Sequence, residues 1–133
     1  METFVHADDP IKVLKNFHRL LKPGGVLVHH EADINYDSDV LQDVLRLSHC
    51  KNTLAEGALE RMLENTGFKD ISTEDLSDNV FPMWRLIGGV GYVPYMFLRA
   101  IGIQNRFTNL LAGVEIYRNW DQGRYISVRA VKA

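Results

Sequence analysis

Apolar and polar positions alternate with a readable period from Asp9 onward. Ile11, Leu14, Phe17 and Leu21 recur at helical spacing, Pro10 suits a first helical position, and Asp9 is placed to cap it. Lys22-Pro23-Gly24-Gly25 ends this helix, because Pro lacks a donor and Gly admits positive φ. The apolar run 26–28 follows, with the pattern of a strand covered on both faces, and leads into the polar stretch 29–33. A second helix is predicted over 38–48 on Val40, Leu41, Val44, Leu45 and Leu47. A third begins at Thr53, since Thr53 and Glu56 have capping-box spacing. Leu59, Met62 and Leu63 form its apolar face and Gly67 its C-terminal cap. Strands are predicted over 68–73 and 124–131.

Residues 81–117 break this regularity. Trp84, Tyr92, Tyr95, Phe97 and Phe107 are interleaved with Gly88, Gly89, Gly91, Pro94 and Gly102, which predicts two or three short helices with hinges. No repeat or linker appears, so 1–133 reads as a single domain with a helical excursion over 80–117. The order of elements points to an α/β fold. Residues 1–9 read as the tail of a strand.

Composition narrows the function classes. A length of 133 residues suffices for one core. A net charge of −2, without a Lys/Arg run, gives no field for nucleic acid. Cys50 is the lone cysteine, which excludes an internal disulfide and fits a reducing compartment. With no basic-then-apolar leader at its start, the chain is expected to be cytoplasmic. The apolar stretch 86–98 is shorter than the ~20 residues of a spanning helix.

Three segments carry a family resemblance. METFVHADDP (1–10) is similar to the segment after the fourth strand of sterol and tocopherol methyltransferases. LKNFHRLLKPGGVLVHHEAD (14–33) resembles the helix, turn and fifth strand of that fold. LERMLENTGFKDIS (59–72) resembles the helix, Gly-Phe turn and sixth strand that follow. The stretch from Val80 onward looks like the substrate-side excursion and last strand of small-molecule methyltransferases of fungal specialised metabolism. The chain thus resembles the C-terminal half of a class I S-adenosylmethionine-dependent methyltransferase. The resemblance implies a partial Rossmann-like sheet of the fifth to seventh strands.

The family holds its cofactor mainly with the first half of the sheet, through a Gly-rich turn and an acidic residue after the second strand. Neither is found here, and Gly88-Gly89-Val90-Gly91 has no strand before it and Pro94 at the third fingerprint position. That cluster is read as a hinge or a helix-packing feature. No cofactor-binding residue is assigned, and S-adenosylmethionine is expected only if a partner completes the site. The strand at 26–28 is then expected at an open edge, which favours a homo-oligomer or a methyltransferase-like partner chain.

Candidate chemistry follows from placement. His6 lies where the resemblance puts the active-site floor, and imidazole suits a general base at neutral pH. Glu2 matches the acidic residue of the same motif. Asp8 and Asp9 are explained by capping. His29 and His30 point to opposite faces of a strand, so at most one of these substrate-binding candidates faces a given pocket. Glu31 and Asp33 share a side and are read as a catalytic or substrate-anchoring pair, with loop solvation as the plain alternative. A metal site from His29, Glu31 and His49 lacks ligand spacing, and no metal is assigned. Cys50 is read as a half-buried thiol. Trp84, Tyr92 and Tyr95 are placed to roof an apolar pocket, with ordinary packing as the alternative. Arg85 and Arg99 flank the same stretch, a pattern that also suits a membrane surface. Asn109, Glu115 and Arg118 are unranked polar anchors.

Three functions are compatible with these residues. The first is methyl transfer to a small apolar metabolite, with His6 as base. The second is a cofactor-independent isomerase or cyclase using His6 with Glu31 or Asp33. The third is a non-catalytic subunit supporting an intact homologue.

Overall fold

A computed structural model describes residues 4, 6–34, 46, 50, 52, 54–103 and 106–133. Glu2, His49, Thr53 and the helix predicted over 38–48 lie outside them, Arg46 apart. The elements are α1 (Pro10–Leu20), β1 (Val26–Ile34), β2 (Leu54–Ala55), α2 (Ala58–Thr66), β3 (Phe68–Asp75), α3 (Ser77–Ala100), α4 (Thr108–Arg118), a short 3-10 turn (Trp120–Gln122) and β4 (Gly123–Lys132).

Local chemistry sets the boundaries. Asp9 accepts from the Lys12 amide at 3.0 Å and starts α1. Gly67, at φ 97°, ends α2 by donating to the Glu64 and Leu63 carbonyls. The turn after α1 also joins the sheet. The Gly24 amide donates to the Lys132 carbonyl, and the Lys132 amide to the Gly25 carbonyl.

The four strands run in the order β2-β1-β4-β3. β1 and β4 are antiparallel from Val26↔Val131 to Ile34↔Gly123. β3 flanks β4 on its other side, with an irregularity between Lys69 and Ser72 where Asp70 adopts φ 51°. β2 meets β1 in parallel at Asp33 and Ile34. Alternation sends Leu27, His29, Glu31 and Asp33 to the face shared with Ile126, Val128 and Ala130. Leu14 of α1 and Leu59 and Leu63 of α2 close that face into a buried cluster with Phe4, Leu54 and Phe68. The opposite face is open, with Val26 44% and Val28 56% exposed.

Three expectations are corrected. The strand predicted over 26–28 continues to Ile34, because β4 supplies a backbone partner for each polar residue. It is covered on one face, not two. The third helix starts at Ala58 rather than Thr53, since Leu54 and Ala55 are drawn into the sheet. Glu56 pairs with Arg124 at 3.1 Å. The excursion is one 24-residue helix, α3, and a second helix, α4, rather than short hinged pieces.

Gly88 and Gly91 of α3 allow close approach of α4. A Cβ at Gly88 would lie 2.4 Å from the Tyr117 ring, and one at Gly91 3.0 Å from Leu110. No helix of the described residues is long and apolar enough to cross a membrane.

Candidate functional site

The helical hairpin of α3 and α4 is tied to the sheet where β3 ends and β4 begins. Leu76 donates its amide to the Tyr125 carbonyl at 2.7 Å, and the Tyr125 amide donates to Ser77 Oγ at 3.0 Å. Asp75 Oδ1 accepts from the Ser77 amide at 2.8 Å. Hydrogen bonds from the Ser77 side chain and backbone hold the Asp75 carboxyl below its ordinary pKa, with help from Arg124. On the hairpin's inner side Phe81 stacks on Tyr117 with centroids 6.2 Å apart, and Trp120 meets Phe81 at 5.3 Å and Trp84 at 6.4 Å.

A cavity of about 450 Å³ lies between this hairpin and the sheet. That volume falls within the ordinary range for small-molecule sites. Its floor is the carboxyl end of β1, from Glu31 to Ile34, with Gly123, Arg124 and Tyr125 of β4. Trp84 and Ile87 of α3 and Ala112, Gly113 and Ile116 of α4 form the apolar wall. Asn109, Asn119 and Trp120 border it, and His6 and Cys50 line the remaining side. The placement beyond strand carboxyl ends is the usual one for ligands of open α/β sheets.

Its charged groups are arranged in one cluster. Arg124 grips Asp33 with two bonds, Nε to Oδ1 at 3.1 Å and an amino nitrogen to Oδ2 at 2.6 Å. Its other amino nitrogen meets Glu56 at 3.1 Å. The Asp33 hydrogen bonds raise the Arg124 pKa against the opposing effect of burial. Asp33 is 3% exposed while the Arg124 side chain keeps 35% of its surface accessible, so the bridge joins a buried carboxylate to a half-buried guanidinium at the cavity floor. Glu31 is 1% exposed, with Oε1 accepting from the Ala32 amide at 3.2 Å.

The residues singled out in the sequence separate into groups. His6, Glu31, Asp33 and Trp84 line the cavity together. His29 lies outside its lining, on the covered face, with its ring edge-on to Phe4 at 5.2 Å. His30 is on the opposite face, edge-on to Tyr125 at 6.4 Å. Tyr92 is 44% exposed and is not among the lining residues. Tyr95 is also outside the lining, buried between the helices, where its hydroxyl donates to Glu115 Oε1 at 2.7 Å. Burial and Glu115 raise its pKa. Glu31 and Asp33 share a side but not a partner, because Asp33 is committed to Arg124. Among the described residues no group of three or more His, Cys, Asp or Glu is arranged to hold a metal.

No local sequence pattern points to Arg124 or Trp120 as site residues. The cross-strand match Asp33↔Arg124 becomes visible only with the β1–β4 register, and Trp120 depends on the turn between α4 and β4. Gly88, Gly89 and Gly91 sit inside α3 and form no strand-to-helix turn.

Comparison with known proteins places this geometry. The chain is 34% identical, over 99% of its own length, to the S-adenosyl-L-methionine-dependent Diels-Alderase iccD of Talaromyces variabilis. It spans about half of that relative, 49%. Among solved structures, the cyclopropane synthase MmaA2 of Mycobacterium tuberculosis superposes with a TM-score of 0.69 at 16% identity. That match covers 99% of this chain and 53% of the synthase. The [4+2]-cyclase SpnF superposes at 0.67 and 21% identity, covering 99% of this chain and 47% of the cyclase. These two show a shared fold. The methyltransferase domain family matches residues 1–73, and the chain belongs to that family.

Proposed function

We propose that this chain forms the substrate-side half of a site that folds a mostly apolar small molecule for ring closure. The supporting observation is the cavity itself: an apolar wall with Trp84 and Trp120, above a floor whose main charges, Asp33 and Arg124, neutralise each other. A ring closure of the Diels–Alder kind moves electrons around a cycle without a proton transfer, so it needs shape more than a base. Holding the two ends of a chain near contact distance removes much of the entropic barrier. The Talaromyces relative is named for such a reaction, which favours this reading over methyl transfer.

Methyl transfer to a small molecule is the second reading, favoured by the position of His6 on the cavity lining. In both, the part of the relative that this chain does not cover supplies the S-adenosylmethionine site, from another polypeptide or a longer one. The open sheet face at Val26 and Val28 and the apolar outer face of α3 support association, so light scattering should find a dimer or larger. A monodisperse monomer would count against it.

The discriminating assay offers the chain a linear trienoic ester whose terminal diene and activated alkene are joined by a three-carbon tether. One ring-closed stereoisomer should exceed the uncatalysed ratio without methyl donor, and Trp84→Ala should remove the excess. Product unchanged from background, with a labelled methyl group passing from donor to acceptor once an N-terminal half is added, would replace ring closure with the second reading.

A further inference from the structure

Arg124 has more donors than its partners take up. A guanidinium carries an N–H on Nε and a pair on each amino nitrogen, in a fixed fork. Asp33 accepts from Nε at 3.1 Å and from one amino nitrogen at 2.6 Å, and Glu56 meets the other amino nitrogen at 3.1 Å. Each of these contacts occupies a single N–H, which leaves one over on each amino nitrogen. Arg124 is also open to a ligand, because it lines the cavity and keeps 35% of its side chain accessible. The other charged groups of the floor do not share this: Asp33 is 3% exposed, and Glu31 is 1% exposed with Oε2 lying 3.6 Å from His29 Nε2. The buried Asp33, directly across from Arg124 in the β1–β4 register, fixes the orientation of the fork.

Electrostatics select what those donors can meet. Arg124 stands between Asp33 and Glu56, and Asp75 also acts on it. A single cation set among these carboxylates repels an incoming anion, whereas a neutral acceptor escapes that repulsion and still gains a charge-assisted hydrogen bond. We infer that Arg124 donates to a neutral carbonyl oxygen of the substrate, which selects apolar chains whose electron-poor alkene is conjugated to a ketone, ester or amide and rejects carboxylates. The inference rests on the cavity being the site of ring closure and adds the group that polarises the reacting alkene. In the closure the diene and the alkene exchange π bonds for the new σ bonds, and electron density builds on the carbonyl oxygen as the diene feeds the alkene. A donor held in place beforehand favours that charge without having to reorganise. No proton is transferred, and no oxidant or reductant is consumed.

The test uses three probes of one shape: methyl β-naphthyl ketone, β-ethylnaphthalene and β-naphthoate. The two tryptophans of the chain, Trp84 and Trp120, both line the cavity, so quenching of their emission reports occupancy. Removing Arg124 alone would leave Asp33 buried and unpaired, so the variant is Arg124→Met combined with Asp33→Leu, which keeps the floor packed. The ratio of ketone affinity to ethyl affinity should fall about tenfold in that variant, the scale of a hydrogen bond from a charged donor. The unsubstituted chain should bind β-naphthoate more weakly than the ketone. Isotope-edited infrared difference spectra of the unsubstituted chain give a reading that needs no variant: the ketone stretch should lie below its position in dry hexane, and in the double variant it should return there. A stretch at the hexane position, a ratio and a shift that survive the double substitution, or β-naphthoate binding as tightly as the ketone would each overturn the inference, and quenching by the probes would leave the cavity reading standing. Failure of all three probes to quench the tryptophans would overturn the cavity reading together with the inference.

Discussion

The sheet and the helical hairpin are held together in different ways. On the sheet's covered face Leu14, Leu59, Leu63, Ile126 and Val128 are almost wholly buried, and the polar residues of β1 are packed among them. The hairpin has a small core of Tyr95, Leu111 and Val114, and it leaves Leu86, Val90, Val93 and Phe97 in solvent at alternating spacings of three and four. Core packing fixes a residue's position closely, and sparse packing lets a segment open at low cost. The cavity lies where the two meet. Its charged groups Glu31, Asp33 and Arg124 stand on the sheet and most of its apolar wall on the looser hairpin, so orientation and accommodation fall largely to different parts of the molecule.

Breaking the bridge between β1 and β4 on the sheet side should have the largest effect. Arg124→Met leaves Asp33 buried without its partner and should cost about 3 kcal/mol or more in urea unfolding. Adding Asp33→Leu should restore most of that loss, since a well-packed apolar pair can replace a buried ion pair. Gly88→Ala sharpens the contrast by acting on the hairpin alone. The new methyl group collides with Tyr117 and should cost about 2 kcal/mol. Hydrogen exchange should speed up in α3 and α4 while β1 and β4 keep their protection.

A smaller effect is expected from Tyr95→Phe, which deletes the hydrogen bond to Glu115 and should cost about 1 kcal/mol. The native pKa of Tyr95 lies above its ordinary value, so this contribution is complete below pH 10.0 and disappears as pH rises through the native value. The variant should lose that alkaline dependence in unfolding measured by circular dichroism. Asp75→Asn should have the smallest effect, below about 1 kcal/mol at neutral pH. The Asp75 pKa is lowered from 3.8, so its contribution is present above that value and fades as pH falls through the lower native one. Acid titrations of the variant and the parent should therefore converge there.

Much of the sheet was legible because its signals are local. The Asp9 cap, the Gly67 stop and the alternation that became β4 each need a few neighbouring residues. The polar half of β1 was hidden because Glu31 and Asp33 sit on the buried face, where periodicity leads one to expect apolar residues. The continuity of α3 was hidden for a similar reason. Gly88 and Gly91 read as breakers until a neighbouring helix is seen to need the space. His6, Glu31, Asp33 and Trp84 could be listed in advance as candidates, but their convergence on one cavity depends on register and on a turn that no local pattern encodes. Arg124 shows the same limit, since its partner Asp33 is 91 positions away.

The place of β4 between β1 and β3 has a consequence for biosynthesis. Neither flanking strand can find its main ladder until the ribosome has released the residues up to Lys132. Throughout that interval the nascent chain carries β1 with its apolar side chains and unmatched amides accessible to other polypeptides. Pairing across such a long stretch of sequence is also slow to close. A stop codon just before Gly123 would leave β1 with only its two-residue pairing to β2 and β3 with no strand partner, a ready client for holdase chaperones.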